Sequence, residues 1–370
     1  MSEPRRVYSL DVFRGITICL MIIVNTPGSW AFVYSQLSHA KWHGCSVADF
    51  VFPFFLFIVG ASMRFAFVKW HHYPSKEFYS HILKRTCSIF FAGIMLNAFP
   101  FIRQDWDWSE FRYLGVLQRI ALSYGLSALL IIKFDFKQLI QILASLLLFY
   151  WAILWIGGGE FPYSLEDNLV RKIDLIILGK DHLYGGFGVR FEPEGILSTI
   201  PSIGSVIIGY LMGGMLHTTK NYNDCAKRMF IFGCITSMVG YVWGFALPIN
   251  KPLWTSSYVL FTGGIAAICL STLTYLIDIK NWKKSFWIFE VFGSNAIFLF
   301  ILSGLWIKTI TRIKLELGES TVSAYHYLYK TVFYPIGGDV NGSLLFAFAH
   351  VLFYWVILFW LYINKIKVKL

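Results

Sequence analysis

The chain of 370 residues is 56% hydrophobic and only 14% charged, whereas a soluble globular domain carries about 25% charged residues. Apolar runs of about twenty residues accompany this deficit, so the composition excludes a soluble domain and indicates a polytopic membrane protein. The formal net charge of +11 does not indicate nucleic-acid binding, because Lys and Arg lie mainly in short loops between the apolar runs.

Hydropathy predicts an all-α helical bundle in a lipid bilayer, with about ten transmembrane helices in one domain over residues 1–370. The predicted spans are 8–27, 47–68, 82–102, 113–133, 136–157, 197–217, 228–248, 254–277, 286–307 and 342–364. Residues 324–338 are aromatic, but they form a short run that contains a lysine. We interpret them as a re-entrant or interfacial segment, with an eleventh span as the alternative.

The distribution of basic residues predicts the orientation of these helices, because cytoplasmic loops carry an excess of Lys and Arg. This rule places both termini in the cytoplasm and residues 28–46 on the opposite face. It also places the longest connection, residues 158–196, outside the cytoplasm. That loop holds acidic, aromatic and glycine residues, which suit a polyhydroxylated ligand. Long loops without secondary structure are often functional.

The first span carries three polar residues that are unusual in lipid. Asp11 and Arg14 are three residues apart, so they share a helix face and can pair, and a contact between Arg14 and a phosphate is the functional alternative. Asn25 ends the same span before a Thr-Pro-Gly sequence that breaks the helix. Its amide can either hold a carbonyl oxygen of a substrate or cap the helix end.

Two histidines precede the second span, in the sequence HAKWHG. His39 and His43 are four residues apart, but the next carboxylate, Asp49, comes only after the following helix has begun, so we predict no metal site. A neutral imidazole suits general-base chemistry near neutral pH, which makes His39 a candidate base. Asp49 can either orient an imidazole or cap its own helix.

Gln118 and Arg119 follow a glycine in the sequence LGVLQR, and Arg119 is predicted to lie well inside the fourth span. An arginine at that depth needs an anionic partner, because an unpaired charge in lipid costs several kcal/mol. Glu290 is the structural candidate for that partner. The phosphates of a nucleotide-type ligand are the functional candidate.

Four further polar or aromatic residues are candidates for substrate contacts. Glu192 lies at the predicted outer mouth of the sixth span, and Ser198 follows among small residues that otherwise favour helix packing. Trp254, at the outer end of the eighth span, is either an interfacial aromatic or a stacking residue. Asn295 is predicted at mid-membrane depth, where packing alone does not explain an amide.

Several of these segments, in this order, resemble the heparan-α-glucosaminide N-acetyltransferase family and its bacterial members. The resemblance extends over nearly the whole chain, and VADFVFPFFLFIVG and GVLQR are its most specific parts. The segments that carry it are SLDVFRGITICLMIIVN, HAKWHGCSVADFVFPFFLFIVGAS, LGVLQRIALSY, EPEGILSTIPSI, KPLWTSSYVLFTGG and FGSNAIFLF.

The resemblance implies a membrane acetyltransferase of the bacterial inner membrane. Acetyl-CoA is then a co-substrate supplied from the cytoplasm, and the amine of a glucosamine residue on the periplasmic side is the acceptor. His39 corresponds to the active-site histidine of the family and Asn25 to its asparagine. The resemblance also leads us to expect a homodimer. The remaining expected substrate contacts are Arg14, Asp49, Gln118, Arg119, Glu192, Ser198, Trp254 and Asn295.

Three questions stay open at the level of sequence. The acceptor can be free glucosamine, an amino sugar of the cell wall or a host-derived glycan. The acetyl group can pass directly to the amine or through an acetyl-histidine. Outside N-acetyl transfer, the alternatives are a membrane O-acyltransferase of a surface polysaccharide and an amino-sugar transporter.

Overall fold

The computed structural model describes residues 7–70, 75–101 and 107–368, and it is almost entirely helical. The α-helices of this part of the chain are α1 (Tyr8–Asn25), α2 (Val51–Ala66), α3 (Lys76–Ala98), α4 (Val116–Lys133), α5 (Phe136–Gly157), α6 (Leu169–Ile177), α7 (Thr199–Thr218), α8 (Tyr222–Trp243), α9 (Ser256–Leu273), α10 (Lys283–Ser294), α11 (Ala296–Ile310), α12 (Ala324–Leu328) and α13 (Tyr334–Ile363). Strands β1 (Lys314–Leu317) and β2 (Ser320–Ser323) form a short antiparallel hairpin.

The polytopic membrane fold is confirmed. Within the described residues, eight helices are long and apolar enough to cross a membrane, or nine if the bent pair α10 and α11 counts as one span. Each of the ten predicted spans overlaps a helix. The difference in number comes from α3, whose first turns carry Lys76, Glu77, Lys84 and Arg85 and reduce its apolar character.

The chain divides into two compact units. The first comprises Met1–Leu10, Lys41–Cys45 and Phe52–Asn281, and the second comprises Asp11–Ala40, Ser46–Val51 and Trp282–Leu370. The boundary between the units therefore passes through the HAKWHG segment, so that His39 belongs to the second unit and His43 to the first. The predicted single domain over residues 1–370 stays a prediction.

Helix α7 forms the centre of the first unit, because 83% of its apolar stretch is buried. Close packing against α2 depends on small residues, since Gly60 faces the carbonyl of Val206 and Gly209 faces that of Phe57. By contrast, only 22% of the apolar stretch of α5 and 28% of that of α8 are buried. The exposed apolar faces of these two helices are suited to contact with lipid.

The long connection between α5 and α7 has more structure than the sequence suggests. It contains α6, which begins after Asn168, whose side chain accepts a hydrogen bond from the Arg171 amide at 2.8 Å. Buried apolar side chains from α5, this connection and the turn before α9 form one cluster that fixes the connection in place. The buried members of this cluster are Tyr150, Leu154, Val170, Phe191, Leu197 and Leu253.

In the second unit, α1 packs closely on α10, where Gly15 faces the carbonyl of Phe289. The predicted span 286–307 corresponds to two helices, because the chain bends by 67° between α10 and α11. The side-chain amide of Asn295, at this break, donates to the carbonyl of Ile366 at 3.1 Å and accepts from the amide of Val368 at 2.8 Å. Hydrogen bonds to the C-terminal segment therefore explain why a polar side chain is found at position 295.

Residues 324–337 are helical and fold back on the part of α13 that follows Gly338. The turn is at Gly338, which has φ +69° and ψ −155°, a conformation that favours glycine. After the turn the two arms run antiparallel, and the ring of Phe346 packs against those of Tyr325 at 4.7 Å and Phe333 at 5.3 Å. The first arm has a helical length of about 21 Å, which is shorter than the apolar core of a bilayer. Its re-entrant or interfacial position stays a prediction.

Candidate functional site

His39 forms a hydrogen-bonding contact with Asp49 in the second unit. Its Nδ1 lies 2.8 Å from Asp49 Oδ1, and the side chains are 44% and 1% exposed, respectively. A carboxylate that accepts from Nδ1–H fixes the imidazole tautomer and leaves the lone pair on Nε2. The arrangement therefore orients His39 as a base.

Asp49 combines both roles that the sequence left open. Its Oδ2 accepts from the amide of Ala40, the amide of Ser46 and the hydroxyl of Ser46, each at 3.0 Å. Ser46 and Asp49 form a capping box at the start of the turn Val47–Phe50 that leads into α2. Because one carboxylate holds both the helix start and the amide next to His39, the backbone at the histidine is fixed together with its ring.

Asn25 is the last residue of α1, and its side chain is exposed. None of the described residues hydrogen-bonds its amide, so it does not cap the helix. The turn that follows is anchored at two places: the hydroxyl of Tyr325 donates to the carbonyl of Pro27, and the amide of Gly28 donates to the carbonyl of Ser343 at 3.1 Å. The Asn25 amide is therefore presented from a rigid turn in the same compact unit as His39.

The predicted pairing of Asp11 and Arg14 is present. Arg14 Nη1 lies 3.0 Å from Asp11 Oδ1 and donates to the carbonyl of Gly293 at 3.3 Å. Both side chains are about one-quarter exposed. The contact connects α1 to the end of α10, and a phosphate contact of Arg14 stays a prediction.

Arg119, in the first unit, lies in the first turn of α4 and not well inside the span, because the preceding residues up to Gly115 are extended. Its guanidinium donates to the hydroxyl of Ser198 and to the carbonyl of Gly195, and it lies 5.1 Å from the ring centroid of Trp254. Ser198, not Glu290, is thus its side-chain hydrogen-bond partner. Its Nε and Nη1 are buried without a hydrogen-bond partner among the described residues.

Trp254 is almost completely buried, at 1% exposure, so its interpretation as an interfacial aromatic is wrong. Its ring packs edge-to-face on Phe52 and Tyr258, and its indole N–H donates to Ser205 at 3.3 Å. Together with the cation–π contact to Arg119, this packing gives Trp254 a place in the core of the first unit. A contact between Trp254 and substrate stays a prediction.

Glu192 is completely buried and is paired with Arg112, a residue that the sequence did not single out. The guanidinium of Arg112 donates to both carboxylate oxygens of Glu192, at 2.8 and 2.6 Å, and to Glu194 at 2.7 Å. A bidentate pair of this kind holds two loops together with a defined geometry. The pair fixes the start of the segment that leads into α7.

Asp174 of α6 is also a buried carboxylate, and the sequence analysis did not single it out. Its Oδ1 accepts from the amide of Ile196 at 2.9 Å, whereas its Oδ2 has no hydrogen-bond partner among the described residues. Burial raises the pKa of Asp174 to about 7. The sequence feature that indicates its burial is its position four residues after Val170, on the apolar face of a short helix.

Gln118 is buried beside Arg119, and its amide donates to the carbonyl of Tyr113 at 3.0 Å. It packs against Gly93 of α3 and thereby joins α3 to the start of α4. Its contact with substrate stays a prediction. Among the residues that the structure describes, no three His, Cys, Asp or Glu side chains are grouped so that they could hold a metal ion.

A family model for the heparan-alpha-glucosaminide N-acetyltransferase catalytic region matches residues 6–241. The chain belongs to this family. The match covers Asn25, His39, Asp49, Arg119 and Glu192, whereas Trp254 and Asn295 lie beyond its end.

Two curated relatives are similar over most of the chain. The heparan-alpha-glucosaminide N-acetyltransferase of Homo sapiens is 28% identical over 355 residues, which cover 80% of this chain and 52% of that protein. The Mus musculus protein of the same name is 26% identical over 357 residues, which cover 81% of this chain and 53% of the relative. The chain therefore spans about half the length of these two relatives.

Proposed function

We propose that this protein transfers an acetyl group from acetyl-CoA to the amine of glucosamine or of a terminal glucosaminide. The family assignment and the names of the two relatives support the reaction class. The observation that carries the proposal is the contact of His39 Nδ1 with the buried carboxylate of Asp49. Such a pair orients the imidazole with the lone pair on Nε2, and amide formation needs a base of this kind to take a proton from the attacking amine.

In the proposed reaction, His39 Nε2 removes a proton from the acceptor nitrogen as that nitrogen attacks the thioester carbon. A C–N bond forms, the C–S bond breaks, and the proton passes from His39 to the departing thiolate, so that CoA leaves as a thiol and the imidazole is neutral again. Asp49 stabilises the imidazolium that forms, because its carboxylate already accepts from Nδ1. We prefer this direct transfer within a ternary complex to a route through an acetyl-histidine.

Asn25 is proposed to donate its amide N–H to the thioester oxygen as negative charge develops there. Its exposed amide and its rigidly anchored turn support this role. Arg14 and Arg119 are proposed contacts for the phosphate or pantetheine part of CoA. For Arg119, the two buried donor atoms without described partners support a polar contact of this kind.

The proposed reaction connects two faces of a bacterial inner membrane. Both termini lie in the cytoplasm with the acetyl-CoA supply, and the acceptor binds on the periplasmic face. The excess of Lys and Arg in the loops predicted to be inside supports this orientation. A homodimer is part of the proposal on the basis of the family resemblance alone.

The decisive experiment incubates detergent-purified protein with acetyl-CoA and glucosamine and measures release of free CoA thiol. We expect thiol release that depends on glucosamine, and mass spectrometry should identify N-acetylglucosamine and not an acetate ester. His39→Ala should reduce the rate by at least about 10²-fold, the usual contribution of a general base. Full thiol release by this variant would contradict the role of His39, and an ester product would contradict N-transfer.

A further inference from the structure

A cavity of about 620 Å³ lies in the first unit, where α2, α4 and α7 end and α5 begins. Its lining includes two cationic side chains, Arg64 and Lys133, which belong to the last turns of α2 and α4. Lys133 and Asp135 of the lining are exposed, so this basic cavity opens at the surface of the unit. None of its lining residues takes part in the proposed reaction, so the cavity needs an explanation of its own.

Arg64 is held at the wall of the basic cavity by a buried phenol. Its Nη1 donates to the hydroxyl of Tyr210 at 3.1 Å, and its guanidinium carbon lies 5.7 Å from the centroid of the Tyr210 ring. Tyr210 lies in the buried part of α7, at 3% exposure. The phenol orients the guanidinium but does not neutralise its charge.

Lys133 supplies the second positive charge. Its ammonium group lies 5.6 Å from the ring centroid of Phe134, and it makes no hydrogen bond or ion pair with the residues that the structure describes. Asp135 is the acidic residue of the lining, and its carboxylate accepts from the amide of Gln138 at 2.8 Å, where it caps α5. Two cations and one anion leave the cavity positively charged. Cations also interact favourably with helix C-termini, so the charge alone does not identify a ligand.

A groove on the surface of α5 continues from the basic cavity and gives the second observation. This α5 groove has a volume of about 540 Å³, and Phe134 lines both the groove and the cavity. Gln138 and Gln141 line the end of the groove near the cavity, whereas Leu146 and Phe149 line the far end. Charged, uncharged polar and apolar side chains therefore follow one another along one surface.

The length and exposure of the α5 groove fit one leaflet of a bilayer. Only 22% of the apolar stretch of α5 is buried, so the groove lies on a face suited to lipid. Residues 138–149 extend over about 16 Å of helix, which is about half of the 30 Å apolar core of a bilayer. The loop before α5 is predicted to face the cytoplasm, so the groove belongs to the cytoplasmic leaflet in that orientation.

A phospholipid presents its groups in the same order as this surface. Guanidinium and ammonium groups donate charge-assisted hydrogen bonds to phosphate oxygens, and glutamine amides can donate to ester oxygens. Basic pockets between transmembrane helices bind anionic lipid headgroups. CoA also carries phosphates, but its pantetheine arm contains two polar amides and does not match the apolar end of the groove.

We propose that the basic cavity and the α5 groove together bind one anionic phospholipid. Arg64 and Lys133 contact its phosphate, and Leu146 and Phe149 pack against one acyl chain. This inference goes beyond the proposed function and does not rest on it, because the ligand is neither the acetyl donor nor the acceptor.

Titration of the detergent-purified chain with phosphatidylglycerol, followed by native mass spectrometry, measures the Kd of the lipid. Lys133→Gln should raise this Kd about 5-fold, the usual contribution of one basic side chain near lipid headgroups. Lys137→Gln is the matched control, because Lys137 is exposed in the first turn of α5 but lies outside the cavity lining. It should bind as wild type does. The inference is overturned if Lys133→Gln has the wild-type Kd, or if both variants weaken binding equally.

A second pair of variants tests the groove without changing any charge. Ser145 is exposed and lines the groove, whereas Ala144 is exposed but lies outside it. Ser145→Trp should raise the Kd at least about 5-fold, because the loss of even two methylene contacts costs more than this. Ala144→Trp should have the wild-type Kd. Equal binding by the two variants would show that the acyl chain does not occupy the groove and would overturn the inference.

Two further titrations identify the source of the phosphate. Phosphatidylcholine, whose headgroup has no net charge, should bind wild type more weakly than phosphatidylglycerol, and excess CoA should leave the Kd of phosphatidylglycerol unchanged. Equal affinity for the two lipids would overturn the selectivity for an anionic lipid. Displacement of phosphatidylglycerol by CoA would identify a nucleotide site and overturn the inference. Each result is independent of acetyl transfer, so a protein that binds the lipid but transfers no acetyl group would contradict the proposed function alone.

Discussion

At the scale of single residues, the Asp49 carboxylate contacts the imidazole of His39 and also accepts hydrogen bonds from three other groups. These three hydrogen bonds hold the backbone amides of Ala40 and Ser46 and the Ser46 hydroxyl. An Asp49→Asn substitution retains the size of the side chain but replaces one acceptor oxygen with a donor. The imidazole then loses its charged partner, and its tautomer is no longer fixed.

We expect Asp49→Asn to reduce kcat by up to about 10⁴-fold, the effect of the same replacement beside the general-base histidine of a Ser-His-Asp triad. The KM for acetyl-CoA should change much less. Steady-state thiol release over a range of acetyl-CoA concentrations measures both constants. Asp181→Asn, at an exposed position of the long connection, is the control and should leave kcat unchanged. An unchanged kcat in Asp49→Asn would show that the pair does not assist the reaction.

Asp174 should make the stability of the fold depend on pH. Its pKa is raised to about 7 in the folded protein, so between about pH 4 and pH 7 the unfolded chain releases its proton first. The free energy of unfolding therefore falls as the pH rises through this window. Asp174→Asn removes the ionisation, while its side-chain oxygen can still accept from the Ile196 amide.

We expect the Tm of Asp174→Asn, relative to wild type, to be higher at pH 8 than at pH 5. Thermal unfolding in detergent at the two pH values measures this difference, and Asp181→Asn again serves as the exposed control. An equal shift in Tm at both pH values would mean that the Asp174 carboxyl does not titrate in this range.

At the scale of elements, residues 324–337 pack against the part of α13 that follows Gly338, and this arrangement depends on the backbone conformation of Gly338. Apart from its chain neighbours, no atom of the described residues lies within 4 Å of the place where a Cβ of residue 338 would be built, so a substitution there acts through the backbone conformation. Gly338→Ala should lower the free energy of unfolding by about 1–3 kcal/mol, the strain of a sparsely populated conformation. The fall in Tm on thermal unfolding measures this effect.

Gly214→Ala is the matched control for Gly338→Ala. Gly214 lies within α7, and an added Cβ would meet only the ring of Phe136, at an ordinary distance of 3.7 Å. Because alanine is the better helix former, this substitution should leave the Tm unchanged or raise it. A similar loss of stability in both variants would show that the effect of Gly338→Ala does not come from the positive-φ conformation of that residue.

The position of the elements was predictable from sequence, but their ends and breaks were less so. Hydropathy located α1, α2, α4, α5 and α7 because each is a continuous apolar run. It missed α6, because a nine-residue amphipathic helix is too short to stand out from a loop. It also extended one helix through Asn295, since the break depends on backbone contacts with residues that are distant in sequence.

In the candidate site, contacts between residues close in sequence could be predicted, whereas contacts between distant residues could not. The contact between Asp49 and His39 was a stated alternative at the level of sequence, because the two residues are only ten apart. Arg112 and Asp174 were missed because their partners lie 80 and 22 residues away, and no local pattern reveals a pairing at that separation. Asn250 was missed for the same reason, since it contacts His43 across 207 residues.

At the scale of the whole molecule, orientation in the membrane is the property that the proposed function most needs. A single cysteine at Asp181, in a background without the native cysteines, should react with a membrane-impermeant maleimide in intact cells. A cysteine at Lys137 should react only after the cells are opened. Both positions are exposed in the structure. Labelling in the reverse order would invert the orientation and place the acceptor in the cytoplasm.

The two anchors of the turn after Asn25 have a practical consequence for truncation. Tyr325 and Ser343 hold that turn, yet both lie beyond residue 241, where the family match ends. Asn250, which holds the turn at His43, also lies beyond it. A fragment cut at residue 241 would keep Asn25 and the turn at His43 but lose the residues that anchor them. The matched stretch is therefore shorter than the smallest piece of chain that we expect to be active.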